Sequence, residues 1–242
     1  MFYETKDAGH GLAVDPFKSL VVPRPIGWVT SLDEEGRVNL APFSFFNAVA
    51  EDPPMVVFSP SGRKPDRPVK DSRANIEATK EFVCNLSTWD LREAMNATSA
   101  VLPAGVDEMK AAGLSPLPSR LVHPPRVAES PVHLECRLWR VIDLPSWDPQ
   151  EPNGLIIGEV VGIHIADHLI KNGRVDIVAA RPIARLGYSE YAVVGDKFNM
   201  RRPGRRLSYW RQTKPFVFRH ARESGHPGPQ VTSVAPDPRF RC

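Results

Sequence analysis

The sequence has few cysteines and none of the most easily identified catalytic or cofactor motifs. Its three cysteines, Cys84, Cys136 and Cys242, are far apart and form no CxxC pair, which argues against a disulfide framework and a thiolate zinc site. It contains no GxGxxG, GxxxxGK[ST], GxSxG or HExxH, so a Rossmann nucleotide site, a P-loop, a nucleophile elbow and a zincin site are not expected. His164 and His168 are four residues apart in a strand pattern, which separates them by about 13 Å. We therefore predict no metal site.

Long apolar runs are also missing. No stretch of 18 apolar residues occurs, so no transmembrane helix is expected. The N-terminus has no basic region followed by an apolar one, which argues against a secretory signal. These features favour a cytoplasmic protein with no membrane partner. The 25 prolines in 242 residues make long uninterrupted helices unexpected.

The positive net charge belongs to one end of the chain. Residues 201–242 carry ten Lys or Arg against two Asp or Glu, whereas residues 1–200 carry 21 against 26. The body of the protein is therefore mildly acidic although the whole chain has a net charge of +3. Nucleic-acid binding by the folded part is not expected, because it lacks a basic pattern interleaved with aromatic residues.

The last 39 residues differ in composition from the rest. Residues 204–242 are rich in Pro, Arg, Gly and Ser and show no sustained periodicity, so we predict a disordered tail after a single domain spanning 1–203. A functional basic arm is the alternative. On the first interpretation, a chain without residues 205–242 keeps its activity and its cofactor.

The hydrophobic periodicity indicates a mainly β protein with inserted helices. Long Val- and Ile-rich segments lack the alternation of strands and helices that a doubly wound sheet requires, so we expect an antiparallel barrel. Gly154, Gly158 and Gly162 interrupt one strand, as bulges or points of close approach. Strands are predicted at 26–32, 38–49, 54–60, 81–88, 132–144 and 154–170, helices at 71–80, 89–100 and 105–114, and tight turns at 33–37 and 172–174.

Several anion-binding side chains precede the first predicted helix. Ser59, Arg63 and Lys70 come before it, and Asp71 or Ser72 can serve as its N-cap. A helix N-terminus with nearby Lys, Arg and Ser side chains suits a phosphate. A solvated charged loop with an ordinary cap explains the same pattern, and the local sequence alone favours it.

The order of these segments resembles the flavin reductase-like, FMN-binding split-barrel family. The resemblance rests on "RPIGWVTS", "NLAPFSFFN", "PPMVVFS", "KDSRANI" and "EFVCNL" between Arg24 and Leu86. It continues through "GEVVGIHIADHLIKNGRVD" and "PIARLGYSEYAVVGDKFNMRRP" and covers roughly residues 15–203. The family usually has Thr where this chain has Ser72, which keeps the hydroxyl.

The resemblance implies a homodimer of Greek-key split barrels with FMN near the subunit interface. Ser44 and the backbone of Ala41 to Phe45 would contact the flavin ring, and Ser59, Arg63, Lys70 and Ser72 its phosphate. Tyr188 and Tyr191 would flank the site or pack across the interface. The cofactor-binding residues implied in this way are Thr30, Ser31, Asn39, Ala41, Pro42, Phe43, Ser44, Phe45, Asn47, Ser59, Arg63, Lys70 and Ser72.

The resemblance also implies an activity. Family reductases transfer hydride from the nicotinamide of NADH or NADPH to flavin N5, and the reduced flavin can serve a separate monooxygenase. Because the flavin supplies the chemistry, no side-chain nucleophile is needed. His164 is the candidate catalytic residue, and a strand histidine with an ordinary hydrogen bond is the alternative. A non-enzymatic FMN electron carrier resembling flavoredoxin, with a protein partner, is the competing function.

Overall fold

A seven-stranded antiparallel sheet forms the centre of the protein in a computed structural model, which describes residues 1–6, 9–65, 67–103, 105–200 and 203. Residues Met1–Phe198 form one compact unit. The predicted tail at 204–242 lies outside the described residues, and the domain boundary at residue 203 stays a prediction. No helix in the described part of the chain is long and apolar enough to cross a membrane.

The central sheet uses strands of five to thirteen residues from the whole body. Its strands are β2 (Gly27–Leu32), β3 (Val38–Phe43), β4 (Phe46–Glu51), β5 (Pro54–Phe58), β6 (Glu81–Leu86), β9 (Val132–Leu144) and β10 (Asn153–Ile165). Short strands make the remaining pairs, namely β1 (Arg24–Pro25), β7 (Pro116–Leu117), β8 (Arg126–Val127), β11 (Ile170–Lys171), β12 (Arg174–Val175), β13 (Ile183–Arg185) and β14 (Tyr191–Val193).

The helices are short and inserted between strands. They are α1 (Phe17–Leu20), α2 (Asp71–Thr79), α3 (Arg92–Ala97) and α4 (Glu108–Ala111), with 3₁₀ turns at Asp167–Leu169 and Ile177–Ala180. The mainly β class with inserted helices is confirmed. The predicted second and third helices are each shorter than expected. The tight turn at 172–174 is confirmed, since Asn172 and Gly173 both have positive φ.

The two edge strands of the sheet are consecutive in the chain. The strand order is β3-β2-β6-β9-β10-β5-β4, so β3 and β4 lie at opposite edges. Only Ser44 and Phe45 separate them, and the Ser59 backbone N–H donates to the Phe45 carbonyl at 2.9 Å. The sheet therefore curls so that its two edges meet at this corner. Because β3 and β4 are not neighbours in the sheet, the barrel is split. The single strand predicted at 38–49 is wrong, because the chain breaks there to turn the corner.

Two apolar clusters hold the fold together on either side of the sheet. The barrel interior contains Val29, Val56, Phe58, Ile76, Phe82, Cys84, Cys136, Ile156 and Val160. The second cluster packs α3 and α4 against the outside and contains Ile26, Trp28, Leu40, Met95, Met109, Leu114, Val127 and Ile183. Trp28 is fully buried and its Nε1 donates to Thr98 Oγ1 at 2.9 Å, which anchors the segment after α3 to the sheet.

The glycines of β10 behave as the sequence predicts. The register of β10 against β9 shifts between Ile157 and Gly158 and again between Val160 and Gly162. A Cβ atom on Gly158 would lie 2.4 Å from Cζ of Phe82, so only glycine admits the aromatic ring at this point. Bulges and close approach are both confirmed.

The start of α2 differs from its prediction. Lys70 is the N-cap residue, and no side chain caps the helix. The Asp71 carboxylate is paired instead with Lys64 and Arg67. Ser72 is buried and turned towards the sheet. The predicted capping by Asp71 or Ser72 is therefore wrong, because both side chains have partners elsewhere.

Candidate functional site

A cavity of about 1270 Å³ lies beside the corner that joins β3 to β4. It is walled by the corner, by α3, by the small sheet β1-β13-β14 and by the segment around α1. Its lining residues are Val14, Asp15, Phe17, Lys18, Arg24, Ile26, Pro42, Phe43, Ser44, Phe45, Ser59, Ser61, Trp89, Arg92, Glu93, Met95, Asn96, Ser99, Ile183, Arg185, Tyr188, Ser189, Tyr191 and Val193.

The corner supplies most of the sequence-predicted residues that reach this cavity. Pro42, Phe43, Ser44 and Phe45 line it, together with Ser59. Ser44 Oγ accepts a long hydrogen bond of 3.4 Å from Arg24 Nε. The Phe43 ring is anchored from behind by Phe58, with the centroids 5.0 Å apart. The Phe45 ring is 40% exposed and faces the Arg24 guanidinium, whose Cζ is 5.8 Å from its centroid.

Four other predicted residues lie inside the protein and not in the cavity. Asn39 Nδ2 donates to Ser72 Oγ at 2.8 Å and lies 3.4 Å from Ser31 Oγ, which ties α2 to the sheet. Thr30 Oγ1 accepts from Asn85 Nδ2 at 2.8 Å. All of these side chains are buried. Their hydroxyl and amide groups are bonded to one another or to Asn75 and Asn85, and none of the four lines the cavity beside the corner.

The remaining predicted contacts lie near the site or on the surface. Ala41 is half-buried on β3, opposite Val29. Asn47 is exposed, and its Oδ1 accepts from the Ala48 backbone N–H at 2.9 Å. The Arg63 guanidinium lies 3.5 Å from Glu151 and 3.1 Å from Gln150 Oε1. The half-buried Lys70 side chain runs beside Gly62, one residue after the cavity-lining Ser61.

His164 lies in a separate buried polar cluster and does not line the cavity. Its Nε2 contacts Glu135, whose fully buried carboxylate also accepts from the backbone N–H groups of Arg120 at 2.8 Å and Leu121 at 2.6 Å. Burial alone would raise the pKa of Glu135, but these hydrogen bonds lower it below its usual value. The His164 ring meets the His133 ring edge-on, with the centroids 5.9 Å apart.

The cavity also contains charged side chains that the motifs did not single out. The Arg24 guanidinium is buried and donates to the carbonyls of Lys18, Val21 and Leu186, the last two at 2.9 and 2.8 Å. Burial lowers the pKa of Arg24, and the nearby Arg185 lowers it further. Arg24 is the first residue of the "RPIGWVTS" segment, and this position was the signal that could have identified it.

The residues of α3 that line the cavity could not be identified from the sequence. Arg92 lies over the Trp89 indole, with its Cζ 4.1 Å from the ring centroid. Nothing in "WDLREAMNATS" distinguishes cavity-lining positions from an ordinary surface helix. Tyr188 and Tyr191, predicted to flank the site or the interface, both line the cavity. Arg185 lies over the Tyr191 ring at 4.5 Å and donates to the Tyr191 hydroxyl.

Comparison with known proteins identifies the family of this fold and cavity. A family model described as "Flavin reductase like domain" matches residues 19–184. The chain belongs to this family. An uncharacterized protein of Halalkalibacterium halodurans is 39% identical over 183 residues, which are 76% of this chain and 87% of the relative.

Solved structures similar to this flavin reductase-like chain agree with the family. Nitrilotriacetate monooxygenase component B from Bacillus cereus is 35% identical, has a TM-score of 0.73, and is matched over 83% of this chain and 98% of its own. The 2-nitrobenzoate 2-nitroreductase of Pseudomonas fluorescens is 30% identical, with a TM-score of 0.68, and is matched over 80% of this chain and 91% of its own. The split-barrel fold is therefore confirmed.

The residues of the cavity fit the flavin that this family implies. A flavin needs apolar cover for its ring, hydrogen bonds for its pyrimidine edge and a cationic or hydroxyl environment for its phosphate. The cavity offers Phe43, Phe45 and Trp89, the serines at 44, 59 and 61, and a set of arginines. Within the described residues, no group of three or more His, Cys, Asp or Glu could hold a metal ion.

Proposed function

We propose that this chain binds FMN in the cavity and reduces it with NADH or NADPH, as an NAD(P)H-dependent flavin reductase. The observation that carries the proposal is the position of the β3–β4 corner, which brings Phe43, Ser44 and Phe45 to one wall of a large cavity in a flavin reductase-like fold. Aromatic and hydroxyl side chains on one wall suit a ring that is apolar on its faces and polar along one edge.

The cavity residues would bind and position the two reactants. Ser44 and the backbone at the corner would meet the polar edge of the flavin, while Phe43 and Phe45 cover apolar parts of its ring. The volume of about 1270 Å³ exceeds the range of about 300–1,000 Å³ common for a single ligand, which leaves room for a nicotinamide ring. When bound, the flavin supplies the hydride acceptor at N5. The protein has to hold the nicotinamide about 3–3.5 Å away.

A homodimer is part of this proposal. The outer face of β4, β5, β9 and β10 carries apolar side chains that the single chain leaves half-buried or exposed, among them Val57, Ile157 and Ile142. A second copy packed on that face would bury them. The match to a monooxygenase component from B. cereus supports a further proposal, that the reduced flavin is passed to a separate monooxygenase.

An anaerobic titration of the purified protein tests the proposal. The reductase is expected to show a visible flavin spectrum that bleaches rapidly when NADH or NADPH is added, and to turn over added FMN or FAD. The alternative, an electron carrier resembling flavoredoxin, would keep its FMN tightly and react poorly with both nucleotides. A protein that has no bound flavin and no affinity for added FMN would contradict both functions.

A further inference from the structure

The cavity has the opposite charge to the body of the protein. Residues 1–200 contain 21 Lys or Arg against 26 Asp or Glu. The cavity is nevertheless lined by Lys18, Arg24, Arg92 and Arg185 against Asp15 and Glu93. A concave site with excess positive charge in an acidic body attracts anions, because the low-dielectric walls concentrate the local field.

Two of the cavity arginines are already committed to the fold. Arg24 donates to backbone carbonyls and helps to hold the segment around α1 in place. Arg185 donates to the Tyr191 hydroxyl and to the Tyr188 carbonyl. Their charge contributes to the field of the cavity, but both terminal nitrogens of each guanidinium already donate to the protein.

Arg92 uses only part of its hydrogen-bonding capacity in the described part of the chain. Its Nη1 donates to the Trp89 carbonyl at 2.8 Å. Its Nε lies 3.4 Å from the Glu93 carboxylate, a side chain that is 82% exposed. Nη2 has no hydrogen-bond partner among the residues that the structure describes. An exposed ion pair of this kind contributes little and is easily exchanged for another anion.

The Trp89 indole restrains this guanidinium. Arg92 Cζ lies 4.1 Å from the indole centroid, and Arg181 Cζ lies 5.4 Å from the same ring. The Trp89 backbone N–H donates to the Arg181 carbonyl at 2.9 Å, which anchors the main chain of Trp89. A stacked guanidinium loses less freedom on binding and presents its edge as a fork that matches two phosphate oxygens.

We propose that Arg92, oriented by Trp89, is a phosphate-binding residue of the cavity. Its ligand is a phosphate of FMN or of the dinucleotide donor, and Arg181 adds a second positive charge beside the same indole. The donor half of this inference rests on the proposed reductase function. The flavin half can be tested by binding alone.

Pairs of ligands with and without a phosphate provide the test. Dissociation constants of FMN and riboflavin are measured by fluorescence titration of the full-length protein. KM values are measured for NADH, for NADPH and for 1-benzyl-1,4-dihydronicotinamide, which has no phosphate. Arg92→Gln is expected to raise the constant of at least one phosphate-bearing ligand about tenfold and to leave both phosphate-free ligands unchanged. Arg92→Lys is expected to raise that constant less than Arg92→Gln does, because lysine keeps the charge but lacks the two parallel N–H donors of the guanidinium.

The pattern across ligands identifies the phosphate. A change for FMN alone assigns it to the flavin, a change for NADH and NADPH assigns it to the pyrophosphate, and a change for NADPH alone assigns it to the 2′-phosphate. The control is Arg37→Gln, which removes the same charge from an exposed turn outside the cavity. It is expected to change none of these constants.

Three outcomes would overturn the inference. In the first, Arg92→Gln changes no constant. In the second, it weakens the phosphate-bearing and phosphate-free members of a pair equally, which would show an effect on the fold or on the rings. In the third, Arg37→Gln has the same effect, which would show a long-range charge effect.

If the wild type binds flavin but oxidises no donor, the reductase function fails and the flavin pair alone decides the role of Arg92. If the wild type binds none of the ligands, both proposals fall.

Discussion

Ser44 and Ser72 were both assigned to the cofactor from the sequence, but the fold places them in different environments. Ser44 lines the cavity, whereas Ser72 is 1% exposed and bonded to Asn39 at 2.8 Å. Ser44→Ala is expected to raise the dissociation constant of FMN about two- to tenfold, the effect of one hydrogen bond. Ser72→Ala is expected to cost about 1–3 kcal/mol of unfolding free energy, because it removes the acceptor of the shorter hydrogen bond of the buried Asn39 amide.

Fluorescence titration and urea unfolding of the two variants distinguish these roles. Each variant is the control for the other, since both remove a single hydroxyl. If Ser72→Ala weakened FMN binding and left the unfolding free energy unchanged, Ser72 would be the phosphate contact that the motif suggests. The assignment of the cofactor to the cavity beside Ser44 would then be wrong.

His133 makes the stability of the fold depend on pH. Burial lowers its pKa from 6.5 to about 4, with smaller contributions from Arg126 and His164, while its bond to the Val127 carbonyl and the Glu135 charge act in the opposite direction. The unfolded chain therefore takes up a proton below pH 6.5 that the folded chain does not. The unfolding free energy is expected to decrease by up to about 3 kcal/mol between pH 6.5 and 4.

Urea unfolding at a series of pH values measures this effect, with His133→Gln as the comparison. The variant is expected to lose less stability than the wild type across that window. Because the pKa of Glu135 is lowered in the fold, the stability that it contributes is lost as pH falls through its folded pKa, below the ordinary glutamate range. Identical slopes for the two proteins between pH 6.5 and 4 would contradict the assignment to His133.

Single side chains were the part of the site that the sequence predicted least well. Ser44 and Phe45 were identified because the "NLAPFSFFN" segment resembles the family. Ser31 and Asn39 are also polar residues in strands with apolar neighbours, but their side chains face α2. A polar group on a buried strand looks the same in sequence whether its partner is a ligand or a helix, since both satisfy the same hydrogen bonds.

At the scale of elements, β10 depends on one position where a side chain cannot be accommodated. A Cβ on Gly158 would lie 2.4 and 2.6 Å from Cζ and Cε1 of Phe82, a fully buried ring that packs on Phe58. Gly158→Ala is expected to lower the unfolding free energy by about 1–3 kcal/mol, the usual cost of overpacking a core. Gly195→Ala, where no atom lies within 4 Å of the added Cβ, is the control and is expected to have little effect.

Thermal or urea unfolding measures both glycine variants. Combining Gly158→Ala with Phe82→Leu is expected to recover part of the loss relative to the two single changes, since the smaller side chain yields space. Full stability of Gly158→Ala alone would contradict the close packing of the ring against this strand.

Most elements could be predicted from the sequence, and the exceptions share a cause. The bounds of β9 agree with the prediction because the apolar residues Val132, Leu134, Cys136 and Leu138 alternate along one face of the strand. The predicted strand at 38–49 is two strands, because the barrel has to turn at Ser44 and Phe45 for its edges to meet. Closure of a sheet is set by pairing between distant segments, so the local pattern did not show where the strand breaks.

At the scale of the whole molecule, the cavity joins segments that are far apart in sequence. The corner at 42–45, α3 and the loop between β13 and β14 meet there. The resemblance to the family identified the fold and one wall of the cavity. The opposite wall was not predicted, because which surface of α3 faces the cavity depends on how the second apolar cluster packs.

The apolar outer face of the barrel predicts that the protein is a homodimer. Val57 points away from the interior and lies between Ile157 and Asn47 on neighbouring strands, and Ile142 on the same side is 36% exposed. Val57→Lys is expected to give a monomer, because a lysine charge cannot be buried in an apolar interface without a large cost.

Light scattering after size-exclusion chromatography measures the mass. Val175→Lys makes the same change at an exposed valine on the β11–β12 hairpin and is expected to keep the dimer. A monomeric wild type, or an unchanged dimer in Val57→Lys, would contradict the use of this face. If the flavin site is completed by the second copy, Val57→Lys also weakens FMN binding, whereas Val175→Lys does not.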